Sequence, residues 1–264
     1  MKNEYKARIL GRIKSFIIQF FKVFVILKKD KSRLPLLKRV HIILWYLKFT
    51  FKDLFLERFL KKKIKSEKFL SYSVCFFSYS SFRNLFVEIF VLQQYYFKTV
   101  KQNPYIIDCG ANIGMSVLFF KFLYPGSNII AFEPDENSFA LLKENIKNNK
   151  LSGVKIYNLA LLNKKGEVTL YVNKLNNSVN TVIKGIFKKE ELIIKKVRSE
   201  ILSSFISCQV DLLKIDVEGS EDMIMLELAK KNALKFVKDM VVEYHPYLCQ
   251  KIKTVAEFLH FLKF

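Results

Sequence analysis

Four short clusters hold the residue types that could bind and react with a small polar molecule. The first is Ile106-Ile-Asp-Cys-Gly-Ala-Asn-Ile-Gly114, an apolar run ending in a glycine-containing turn. Gly110 would let the chain bend sharply beside a ligand, and Gly114 would let a helix start pack closely. Asn112 stands where a dinucleotide fingerprint has its second glycine, the residue that lets backbone approach a pyrophosphate. That argues against NAD or FAD and for a cofactor without phosphates. The second cluster, Ile129-Ile-Ala-Phe-Glu-Pro-Asp135, ends another apolar run in Glu133. Its distance from Asp108 is close to the spacing, about 20 residues, of a carboxylate that accepts hydrogen bonds from ribose hydroxyls. Asp108 is expected behind the bend or near a cofactor amino group.

The third cluster, Val210-Asp-Leu-Leu-Lys-Ile-Asp-Val-Glu-Gly-Ser-Glu221, gathers Lys214, Asp216 and Glu218 where a strand would turn into a helix. Acidic groups so crowded would cost stability in an ordinary turn, so a cationic or hydroxyl ligand is expected beside them. The plainer alternative is an acid-rich helix N-terminus. The fourth, Met240-Val-Val-Glu-Tyr-His-Pro246, places Glu243 and His245 at the end of the next strand.

Apolar runs alternating with amphipathic stretches must position these clusters. Strands are predicted at Tyr105–Cys109, Asn128–Glu133, Val154–Asn158, Val210–Asp216 and Val237–Glu243. Helices are predicted at Ile113–Leu123, Glu136–Asn149, Glu221–Lys231 and Ile252–Leu262. Such alternation implies an α/β fold with a parallel sheet and helices on both faces, all four clusters lying at the strands' C-terminal ends. Lys164 to Ser207 reads as irregular, with one extra strand at Glu167–Val172 and a polar loop from Asn173 to Gly185.

Taken in order, Asp108-Cys-Gly-Ala-Asn-Ile-Gly114, Ala131-Phe-Glu-Pro-Asp135 with Asn145, Lys214-Ile-Asp-Val-Glu-Gly219 and Val242-Glu-Tyr-His-Pro246 resemble the FkbM family of methyltransferases over about residues 104–246. The resemblance implies a Rossmann-like methyltransferase sheet, S-adenosylmethionine as methyl donor, and O-methylation of a sugar, glycan or natural-product hydroxyl. It places Gly110, Asn112 and Gly114 along the donor's methionine moiety and Glu133 on its ribose. Asp216, Glu218 and His245 would face the acceptor, with Asp216 preferred over His245 as the base and Glu218 balancing the sulfonium charge. The family's Leu-Asp pair before the fourth main strand is replaced here by Ile201-Leu-Ser-Ser204. One helix follows the fifth strand, so the sheet is expected to lack the C-terminal antiparallel strand pair of such folds.

Composition bounds the alternatives. At 264 residues and 51% hydrophobic, the chain can bury a full core. Of the formal charge of +21, residues 1–103 hold 23 Lys and Arg against 6 Asp and Glu, and residues 104–264 hold 22 against 18. The basicity therefore belongs to the N-terminal part, which disfavours a nucleic-acid methyltransferase although the total charge suggests one. Residues 1–70 read as a basic amphipathic helical extension, 71–103 as a lead-in segment and 104–264 as the catalytic domain. The extension either packs with its lysines in solvent or makes a peripheral membrane contact, and in the extreme it would dock a non-catalytic, degenerate Rossmann domain. Phe16 to Leu27 is too short to span a bilayer. Cys75, Cys109, Cys208 and Cys249 are widely spaced and join no histidine, so neither disulfides nor a structural zinc site is expected, and a cytoplasmic setting fits; Asp216 could hold a divalent metal, although no ligand cluster demands one.

Overall fold

The computed structural model describes residues 34–57, 60, 62–173, 180–184, 192–249, 251–252 and 254–261. The apolar run Phe16 to Leu27 and most of the expected polar loop after Asn173 lie outside the described residues. The chain divides into two compact units at Tyr96 and Phe97.

In the first unit, helix α1 (Leu36–Lys52) runs into a π-helical turn, Asp53–Glu57. A hairpin of β1 (Ser66–Phe69) and β2 (Tyr72–Cys75) follows, then helix α2 (Tyr79–Phe86), whose first turn is capped by Ser78 Oγ accepting from the Ser81 N–H. The expected break at residue 70 falls inside this hairpin's turn, where Leu70 takes a φ of +51°. The extension is therefore not wholly helical. Rings hold the unit together: Phe49 packs edge-on against Phe69, Phe82 and Phe86. The amphipathic pattern of α1 buries Ile42, Tyr46 and Phe49. It also leaves Leu36, Leu37, Val40 and Leu44 exposed. No helix among the described residues is long and apolar enough to cross a membrane.

The second unit is built on β3 (Tyr105–Cys109), α3 (Met115–Leu123), β4 (Asn128–Phe132), α4 (Glu136–Asn148), β5 (Val154–Tyr157), then β10 (Val210–Ile215), α5 (Glu221–Lys230), β11 (Val237–Val242) and α6 (Val255–Phe261). The five strands form one parallel sheet in the order β11-β10-β3-β4-β5, the Rossmann-like arrangement expected from the strand–helix alternation. Near-continuous Ile, Val and Leu suit strands buried on both faces: every residue of β10 is buried. Ile107, Leu213, Ile215, Ile224 and Met225 lie in one core with Phe132 and Leu202. Asp211 closes the start of β3, accepting the Tyr105 N–H at 2.9 Å and pairing with Lys101 at 2.7 Å.

Among its described residues, the stretch expected to be irregular is instead mostly sheet. β7 (Gly166–Asn173) pairs antiparallel with β9 (Leu192–Glu200) along its whole length, and β6 (Ala160–Leu161) and β8 (Asn180–Thr181) complete the order β6-β9-β7-β8. β9 escapes a pattern-based reading because Leu192-Ile-Ile-Lys-Lys-Val-Arg-Ser-Glu200 has no clean alternation, and most of it is only half-buried or exposed.

Candidate functional site

Register brings the strand ends into one row. Ile215 lies level with Cys109 and Val242, Cys109 with Phe132, and Phe132 with Tyr157. The residues that follow, Asp216, Gly110, Glu243, Glu133 and Asn158, therefore leave the sheet along one edge. This is the edge at which open parallel sheets bind ligands.

The bend after β3 is held by its neighbours. The N–H groups of Gly110 and Ala111 both donate to the Phe132 carbonyl, at 3.0 and 2.8 Å, and Asn145 Nδ2 donates to the Ile113 carbonyl at 2.8 Å. Asn112 sits at a φ of +49° and Gly110 at +85°. A Cβ on Gly110 would stand 1.8 Å from the Asp216 carbonyl oxygen. The close passage of the β10 exit, rather than a ligand as the sequence suggested, is thus what demands glycine at 110. Gly114, at a φ of +91°, lets the start of α3 approach Leu142 of α4. We expect Gly110→Ala to cost about 1–3 kcal/mol through overpacking and left-handed strain. The readout is a lower midpoint in urea unfolding, and an unchanged midpoint would mean that the bend yields freely.

Glu133 closes this bend from β4. Its Oε2 accepts the Asn112 N–H at 2.8 Å and its Oε1 accepts the Asp135 N–H at 2.9 Å. Burial pushes the carboxyl up to about 7, against the lowering effect of those two N–H groups. A carboxylate offers about four lone-pair sites, so acceptor capacity remains for a diol. Asp135 caps α4, accepting from the Ser138 N–H at 3.1 Å, and Lys195 of β9 reaches its other oxygen at 2.5 Å.

Asp108 takes the first of its two expected places, behind the bend. It is wholly buried, with Ser116 Oγ donating to its Oδ2 at 2.5 Å and Lys214 Nζ 3.1 Å from its Oδ1. Both oxygens face protein, so Asp108 steadies the bend rather than touching a ligand. Lys214, which sequence reasoning left without a role, is the centre of this cluster. It is equally buried, donates to the Gly110 carbonyl at 2.6 Å and lies 3.5 Å from Asp216 Oδ2.

Asp216, Glu218 and His245 do come together. One ligating atom from each lies within 4.8 Å of those of the other two. His245 Nε2 is 3.6 Å from Glu218 Oε2 and 3.9 Å from Glu243 Oε1. Its Nδ1 lies 2.9 Å from Oε1 of Glu221, a fully buried carboxylate that also accepts the Gly219 N–H. Burial alone would lower the imidazole pKa, but the bond to Glu221 and the charges of Glu218, Glu221 and Asp216 raise it to about 9. His245 therefore holds its proton more tightly than a free imidazole, which weighs against it as the base. Glu218 is pushed up to about 7, first by burial and, despite the lowering effect of His245, by the charges of Asp216, Glu221 and Glu243. Thr181 Oγ1 donates to the Glu218 carbonyl at 2.5 Å, so the β7–β9 sheet reaches this turn.

Comparison with known proteins agrees with the geometry. A family model, the methyltransferase FkbM domain, matches residues 108–264. Methyltransferase sdnD of Sordaria araneosa is 29% identical over 190 residues, 60% of this chain and 73% of that protein. The 31-O-demethyl-FK506 methyltransferase FkbM of Streptomyces tacrolimicus is 38% identical over 71 residues, covering 26% of this chain and 27% of its own length. Among solved structures, the chain is similar to a methyltransferase FkbM from Methylobacillus flagellatus KT, with 14% identity and a TM-score of 0.38 over 59% of this chain and 40% of that one.

Proposed function

Because the chain belongs to the FkbM family of methyltransferases, we propose that it moves the methyl group of S-adenosylmethionine to a hydroxyl of a small molecule, such as a sugar, a glycan or a natural product. The observation that carries this reading is the bond from the Asn112 N–H to Glu133 Oε2. It joins the glycine-lined bend of β3 to an acidic strand end on β4, leaving spare acceptor capacity for a ribose diol and nothing shaped for a pyrophosphate. Gly110, Asn112 and Gly114 would line the methionine end, and Glu133 would hold the ribose. When bound, the donor supplies a methyl group on a positively charged sulfur. The chain's own contribution is to place a hydroxyl beside it and take its proton. Asp216, held by its backbone against the bend, receives that proton, and Glu218 adds negative charge nearby. The β7–β9 sheet, which touches the Glu218 turn through Thr181, helps to select the acceptor.

Calorimetric titration with S-adenosylmethionine tests the donor assignment. Glu133→Ala should bind about 10–100-fold more weakly, the loss of roughly one charge-assisted hydrogen bond. An intact chain that does not bind the donor, or a variant that binds it equally well, would overturn the reading.

The raised carboxyl sets a pH dependence of known sign. Protonation of Glu133 removes acceptor capacity, so the dissociation constant should be flat above about 7 and rise by up to about tenfold per pH unit below it. The folded, ligand-free protein holds this proton more tightly than the unfolded chain, whose carboxyl titrates near 4.5. Glu133's contribution to stability is therefore complete below about 4.5 and lost as pH climbs through about 7, opposite in direction to affinity. Donor binding that strengthens on acidification would contradict the assignment.

A further inference from the structure

We propose that Asp216, Glu218 and His245 form a divalent-cation site at the mouth of the β10–β11 edge, with one oxygen from each carboxylate and Nε2 of the imidazole as ligands. The sequence shows no ligand spacing here, since 216 and 218 flank a turn and 245 lies beyond the next strand. The fold assembles the set: the three ligating atoms lie within 4.8 Å of one another, a span that small side-chain rotations close to metal–ligand distances of about 2.0–2.2 Å. All three side chains are partly exposed, at 21%, 20% and 11%, which leaves room for further ligands from outside.

The second observation is the orientation of the imidazole. Metal-bound histidines characteristically donate their other ring N–H to a carboxylate, which fixes the tautomer and strengthens the ligand. Glu221 supplies that carboxylate here. It is fully buried, 2.9 Å from His245 Nδ1, and is itself anchored by the Gly219 N–H and by Cys249 Sγ at 3.3 Å. Nδ1 is thereby committed inward, and Nε2 is aimed at Glu218 and, more distantly, Glu243.

The charge balance points the same way. Asp216, Glu218, Glu221 and Glu243 crowd one imidazole; Lys214, bound to Asp108 and to the Gly110 carbonyl, also lies 3.5 Å from Asp216 Oδ2 and offsets only part of this charge. Once a cation displaces the Nε2 proton to solvent, the imidazole with two carboxylates is a ligand set for Mn²⁺, Mg²⁺ or Zn²⁺ rather than for a soft metal. If the methyl-transfer reading holds, a hydroxyl ligated at an open position would lose its proton more readily, with an Asp216 oxygen not on the cation as the acceptor. Cation binding itself does not depend on that reading.

The test uses the full chain, stripped with a chelator and titrated with Mn²⁺ in the absence of any donor, following free Mn²⁺ by electron paramagnetic resonance. One Mn²⁺ per chain is expected. Glu218→Gln and His245→Gln should weaken binding by about tenfold or more, and Glu221→Gln by about 10–100-fold although it never touches the ion. Melting temperatures guard against misfolding: Mn²⁺ should raise that of the native chain by more than that of Glu218→Gln. Without metal, Glu218→Gln should melt no lower than the native chain, because it removes a crowded charge. Failure to bind Mn²⁺, or equal binding by native chain, Glu218→Gln and His245→Gln, overturns the site. Donor titration of the stripped protein is scored separately, so a missing cation and a missing donor are distinguishable failures.

Discussion

Replacing Lys214 with methionine is expected to remove about 3–5 kcal/mol of stability, the usual consequence of leaving a buried charge without its partner. The lysine is 1% exposed and Asp108 not at all, so solvent cannot take over when the ammonium is lost. Asp108 would keep only the Ser116 hydroxyl, and the Gly110 carbonyl would lose its 2.6 Å donor at the point where the bend presses on the β10 exit. The effect should appear as a lower urea midpoint of the transition reported by the second unit. The double variant Lys214→Met with Asp108→Asn should recover most of the loss, because no uncompensated charge then remains. A loss below about 1 kcal/mol would mean that the pair behaves like an exposed one.

That buried pair marks the boundary of what the sequence discloses. The main sheet was legible because parallel strands buried on both faces leave unbroken apolar runs, and each of the five expected strands lies within a residue of its observed end. The convergence of Glu133 on the bend was legible too, since a fixed crossover length brings the end of β4 beside the end of β3. The identity of interior partners was not. Lys214 carries no partner in the residue pattern, and Glu221 fits an acid-rich helix N-terminus. Only the three-dimensional packing shows that one neutralises Asp108 and the other grips His245. The raised proton affinity of His245 follows from that hidden carboxylate, so it could not be read from residue types. The β7–β9 hairpin stayed obscure for a different reason: a strand whose two faces are both partly wet carries no alternation to detect.

With His245 held toward its protonated form, the carboxylates are the better proton acceptors, and Asp216 is the best placed of them. Its N–H donates to the Cys109 carbonyl at 3.0 Å, and its carbonyl packs where a Cβ on Gly110 would be, so its backbone is fixed relative to the donor-side bend. Its side chain is partly exposed, whereas Glu221 is sealed and Glu243 stands further out, with nearly half its side chain in solvent. Asp216→Asn keeps the shape, and keeps an oxygen able to ligate a cation, but removes the ability to take up a proton. Turnover should fall by about 10²–10⁴-fold. Donor affinity should stay within about twofold if Asp216 acts only as the base. The measurement is transfer of isotopically labelled methyl from S-adenosylmethionine to a panel of sugar and natural-product alcohols, using whichever acceptor the native chain methylates. Undiminished transfer by Asp216→Asn would remove Asp216 as the base. Equal loss of turnover and donor affinity would instead assign it to holding the bend.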